Sequence, residues 1–101
     1  VHSSTIVTGL LREQLGWQGV VISDDLGAAG AMDSVAARDR GVRFIAAGGD
    51  LVINADPGTI GEMIDETLDR AASDRVFADG LDAHVTRVLQ LKASVGLVEC
   101  A

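Results

Sequence analysis

The chain has 101 residues, room for one small domain, and 48 % of them are hydrophobic, enough to bury a core. Its formal net charge of −7 excludes the basic face that nucleic acid or an anionic membrane surface would require. No stretch is long enough to span a membrane and none reads as a signal peptide; Cys100, the single cysteine, excludes an intrachain disulfide and a cysteine metal site.

Trp17, Phe44 and Phe77 are the aromatic residues, so the core is expected to be aliphatic and alanine-rich. Residues 4–15, STIVTGLLREQL, read as a helix: Ser3 or Ser4 can cap it, and Ile6, Val7, Leu10, Leu11 and Leu15 form an apolar stripe. Gly16 stops it. Residues 19–23 are a continuous apolar run, the pattern of a strand buried on both faces. Gly27 and Gly30 place a loop at LGAAGAM. Asp33 or Ser34 then caps a helix over about 34–47, ended by Gly48 and Gly49. DLVINAD, 50–56, is a second buried strand running into Asn54 and Asp56. Asp56–Pro57 is an N-cap followed by proline at the first helical position, so a third helix runs over about 58–72. SDRVFADG, 73–80, reads as a break, and a last helix covers about 81–95 up to Gly96.

The order αβαβαα, with buried strands alternating with helices, means an α/β class with a parallel sheet. Two such strands do not make a stable sheet alone, since both edges want partners. The 101 residues therefore read as a section of a larger α/β fold.

Chemistry in parallel α/β folds collects where strands end at their C-terminal edge. Asp24 and Asp25 stand at such an edge. A carboxylate there can be a nucleophile, a general base or a Mg²⁺ ligand, or it can simply close an Asx-turn. Successive strand residues point to opposite faces, so at most one of the two acids reaches a shared crevice while the other caps or orients.

GLLREQLGWQGVVISDDLGAAGAM resembles the segment around the nucleophile of family 3 glycoside hydrolases, in particular the β-N-acetylglucosaminidase branch. AAGGDLVINAD is similar to that family's A-G-x-D strand, and LDAHVTRVLQLKASVGL to its closing helix. The resemblance runs from about residue 5 to 98, with three motifs in the right order. It implies that the chain is the last two strand–helix units, about a quarter, of a (β/α)₈ barrel, and that residues 1–101 are a C-terminal fragment of the catalytic domain. Asp24 falls on the family nucleophile; Ser23 and Asp25 would orient it or touch substrate. The implied activity is retaining hydrolysis of an N-acetylglucosamine-type glycoside, without cofactor or metal, in a bacterial parent.

In that branch the general acid is a histidine steered by an aspartate on an upstream loop. His2 and His84 match no such motif, and His84, among polar helix neighbours, reads as a surface residue. Two departures stand out. Gly27 and Ala28 occupy the place of a pocket-shaping Met, and Gly80 is expected to shorten the last helix. A phosphoacceptor or Mg²⁺-binding module is a different reading of paired aspartates, but it needs a cation at the phosphoryl group, and Lys92, the one lysine, falls in a helix. A non-enzymatic assembly fragment is a third. Open strand edges would drive this chain to form a homo-oligomer or to join the missing barrel segments.

Overall fold

The computed structural model describes residues 2–27 and 34–99. The expected loop residues Ala28 and Gly30, the alternative cap Asp33 and the cysteine Cys100 lie outside the described residues. The element order is a π-helix over Thr5–Gln14, β1 (Ile22–Asp25), α1 (Ala37–Ala47), β2 (Leu51–Ile53), α2 (Pro57–Ser73) and α3 (Arg75–Ser94). The α/β class and the alternation are those expected.

The first helix differs in its winding. Leu15 N–H donates to Leu10 O at 2.9 Å, an i→i+5 bond. A wider turn takes the expected stripe off one line, and Val7 is buried while Ile6, Leu10 and Leu15 stay exposed. The Ser3 hydroxyl accepts from Ile6 N–H at 3.3 Å, and Gly16 stops the chain at φ 71°. The helix is held by polar ties: Thr8 Oγ1 donates to Ala47 O at 2.7 Å, and Arg12 Nη2 to Gly48 O at 2.9 Å. Gly48, the C-cap of α1 at φ 116°, must be glycine, because a side chain there would also run into the Thr8 hydroxyl.

β1 and β2 pair in parallel, with Ile22 opposite Leu51 and Asp25 opposite Ile53. Three steps on one strand against two on the other mark a bulge. β1 begins later than the apolar run 19–23, because the Gly19 and Val20 carbonyls are taken by Arg12 Nη1 (3.0 Å) and Trp17 Nε1 (3.2 Å). Pairing then runs into the two aspartates themselves. β2 stops at Ile53, because Asn54 Oδ1 accepts from Asp56 N–H (2.7 Å) and turns the chain toward α2.

In this structure the strands are buried on one face and not on both. Ser23 is buried and Val52 packs against a core of Leu26, Phe44 and Met63 on the helix side. Ile22, Asp24, Leu51 and Ile53 are exposed on the other side, which no described helix covers.

The expected break at 73–80 shrinks to one residue. Asp74 ends α2 and caps α3, accepting from Phe77 N–H at 3.0 Å. Phe77 is buried, with the Arg70 guanidinium 5.8 Å from its ring centre. That anchoring extends α3 through Gly80, which does not shorten it. Among the described residues no helix is long and apolar enough to cross a membrane.

Candidate active site

The bulge in β1 organises the acids. In an evenly spaced parallel ladder, alternate residues of one strand serve successive groups of the other. Val21 O accepts from Leu51 N–H at 3.2 Å. The next donor, Ile53 N–H, goes to the Ser23 hydroxyl at 2.9 Å, and that hydroxyl donates to Asp24 O at 2.7 Å. Ile53 O then accepts from Leu26 N–H (2.9 Å), one residue later than Asp25, whose N–H turns instead to Asp24 Oδ1 (2.8 Å).

Asp24 is exposed on the helix-free face, and this amide is the one hydrogen bond to its carboxylate among the described residues. Asp25 goes elsewhere: its Oδ1 accepts from Gly27 N–H (2.8 Å) and Ala55 N–H (2.9 Å), lashing the loop after β1 to the loop after β2. Asp25 and Ser23 therefore fix backbone.

The loop after β1 is also held from behind. Arg40 donates to Leu26 O (3.0 Å), Gly27 O (3.1 Å) and Val35 O (2.9 Å). Gly27 packs so closely on the Asn54 amide that any side chain would collide with it, which explains a glycine at that place.

A second polar cluster was missed in the sequence. Asp50, just before β2, has a fully buried side chain with Arg12 Nη2 at 2.5 Å, His84 Nδ1 at 2.6 Å and Arg87 Nη1 at 3.0 Å. It also accepts from Val21 N–H at 2.9 Å. Burial pushes its carboxyl up, but the hydrogen bonds from His84, Val21, Arg12 and Arg87 outweigh this and hold it below the usual carboxylate range. His84 is therefore not a surface residue. The signal was there in GGD at the head of an apolar strand, but its partners lie 34 to 38 residues away along the chain.

The Asp50–His84 pair is not part of the Asp24 site. Asp50 sits beside Val21, and Asp24 is three residues further on, about 10 Å along a strand rising ~3.3 Å per residue. One cluster lies at the N-terminal edge of the sheet and the other at the C-terminal edge. In barrel folds the first edge serves stability and the second chemistry. His2 is held on α1 by the Arg40 carbonyl at 3.1 Å, and burial lowers its pKa. A groove of about 250 Å³ between α1 and α2, lined by Ile45, Val52, Met63 and Leu68, is apolar and faces away from Asp24. Among the described residues, no group of three or more His, Cys, Asp or Glu could hold a metal ion.

A model of the glycosyl hydrolase family 3 N-terminal domain matches residues 1–91. A curated relative from Cellulomonas fimi, a beta-N-acetylglucosaminidase/beta-glucosidase, is 39 % identical over 101 residues, 96 % of this chain and 17 % of its own length. The solved β-N-acetylhexosaminidase of Beutenbergia cavernae superposes with a TM-score of 0.87 at 39 % identity, over 91 % of this chain and 28 % of that one. A family 3 β-N-acetylglucosaminidase from a Paenibacillus species gives a TM-score of 0.87 at 27 % identity, over 99 % of this chain and 19 % of that one. The chain thus spans 17 to 28 % of these relatives' lengths.

Proposed function

The chain belongs to the glycosyl hydrolase family 3 N-terminal domain family, and on that premise we propose that residues 1–101 are the last quarter of a (β/α)₈ barrel in a retaining β-glycosidase. The substrate is an N-acetylglucosamine-type glycoside, and Asp24 is the nucleophile. The observation that carries this reading is the exposed Asp24 carboxylate on the helix-free face of β1, at the strand end where barrel enzymes keep their chemistry. The relatives named above, all described as acting on such glycosides, support the substrate class.

In a double displacement, an Asp24 oxygen attacks the anomeric carbon as the glycosidic C–O bond breaks, and the bonding electrons pass to the leaving oxygen. A general acid protonates that oxygen. The same group then takes a proton from water, whose oxygen attacks the anomeric carbon and frees the carboxylate. The Asp25 N–H on Asp24 Oδ1 holds the carboxylate in one orientation for this attack. His2 and His84 are committed to Arg40 and Asp50, so the acid comes from outside these residues.

A mechanism-based fluoro-sugar that traps the glycosyl-enzyme tests the assignment in the complete enzyme carrying these residues. Labelling of Asp24 is expected. Labelling of Asp25, or of an acid outside residues 1–101, overturns it.

A further inference from the structure

We propose that Ser23 is a positioning residue for the reaction, and that its hydroxyl, bridging Ile53 N–H and the Asp24 carbonyl at the β1 bulge, is what presents Asp24. The proposal rests on the reading of Asp24 as nucleophile and adds to it the device that aims the carboxylate.

A regular continuation of β1 would bring the Ser23 carbonyl to Ile53 N–H and Asp25 N–H to Ile53 O. The observed register departs from this continuation. Ser23 Oγ receives Ile53 N–H at 2.9 Å, and Leu26 N–H reaches Ile53 O at 2.9 Å. β1 carries one residue more than β2 over this stretch, as the register Ile22↔Leu51 and Asp25↔Ile53 records, and the Ser23 hydroxyl sits at that extra residue. In this register Leu26 serves Ile53 O, and Asp25 N–H is the donor that holds Asp24 Oδ1 at 2.8 Å.

The hydroxyl is suited to this because it both accepts and donates. It accepts from Ile53 while donating to Asp24 O at 2.7 Å, so it fastens the neighbouring strand and the nucleophile's own peptide at once. Ser23 is buried, with 5 % of its surface exposed, so no solvent replaces it there. Alanine would remove the link from Ile53 N–H through the hydroxyl to Asp24 O and let the strand slide toward the even register, which takes Asp25 N–H away from Asp24. Threonine keeps the hydroxyl and suits a strand. Cysteine keeps the size but accepts weakly.

The experiment follows the labelling of Asp24 by a fluoro-sugar in the complete enzyme, with kcat and KM for an aryl glycoside. Ser23→Ala is expected to slow labelling and kcat about 10- to 100-fold, the scale of a 1 Å misplacement, with KM within about threefold. Ser23→Thr is expected to restore the rate to within about threefold of the parent, a rescue that a mere space-filling role would not give. Ser23→Ala labelled at the parent rate overturns the proposal and leaves Asp24 as nucleophile. If Ser23→Ala does not fold, Ser23→Thr against Ser23→Cys decides: a tenfold or larger gap supports the hydroxyl's role, and equal rates overturn it. Label found away from Asp24 in the parent itself removes the underlying reading instead.

Discussion

The imidazole of His84 lies 2.6 Å from the carboxylate of Asp50 and ties α3 to the residue that opens β2. A His–Asp pair invites a catalytic reading, but this one is buried at the edge of the sheet away from Asp24. Arg12 and Arg87 converge on the same carboxylate, so one acid joins the π-helix, β1, β2 and α3.

Asp50→Asn is therefore expected to destabilise the complete protein by about 3 kcal/mol, because removing one partner of a buried ion pair leaves its cations uncompensated. Urea unfolding measures the loss. His84→Gln, by contrast, should leave kcat within about threefold of the parent once folding is matched, because the imidazole acts on Asp50 and not on substrate. A drop of several orders of magnitude in kcat at unchanged stability would return His84 to the reaction.

The depressed Asp50 carboxyl gives stability a pH dependence of definite sign. The unfolded chain binds a proton at higher pH than the folded one, so stability rises with pH through this window. The contribution is complete above the ordinary aspartate range near pH 4 and is lost as pH falls through the lower folded value. Denaturation midpoints taken between pH 7 and pH 3 should show the fall in the parent and a flatter profile in Asp50→Asn. Parallel profiles would refute the linkage.

Asp24→Asn is expected to abolish most turnover in the complete enzyme, since the amide cannot attack the anomeric carbon. Asp25→Asn should retain far more. Its amide oxygen can still accept from Gly27 N–H and Ala55 N–H, two donors that the Asp25 carboxylate holds. Asp25→Ala removes both and should fall between the two. Steady-state kinetics on an aryl glycoside rank the three; Asp25→Asn as inactive as Asp24→Asn would contradict the division of roles.

Residues 1–101 expressed alone should be nearly inactive and should associate. Loss of general acid catalysis alone costs about 10²–10⁴-fold. On the helix-free face Ile22 is 53 %, Leu51 40 % and Ile53 43 % exposed, and burying such side chains fully is worth about 1.5–3 kcal/mol each from full exposure. Among the described residues both outer edges of the two-stranded sheet are also unpaired. Sedimentation at micromolar concentration should find oligomers, despite repulsion from a net charge of −7 that salt screens. A folded monomer that unfolds cooperatively and independently of concentration would rule this out.

Local chemistry made the alternation of helices and strands legible in the sequence. Asp56–Pro57 starts α2 where expected, Gly16 and Gly48 stop their helices at positive φ, and the apolar runs around Val21 and Val52 become parallel neighbours. Each of these signals is carried by residues adjacent in the chain. The tertiary structure decided what depends on partners far along it. Phe77 carries α3 back to Arg75 because it is buried, and no local pattern announces that burial. The two aspartates could be found by reading, but which of them is exposed could not: alternation distinguishes faces, and only the bulge built on Ser23 and Ile53 sets the register that turns Asp24 outward and Asp25 toward Ala55. Asp50 is one more acid at the head of a strand until Arg12, His84 and Arg87 are folded onto it, because a buried charge is defined by the groups that replace its water.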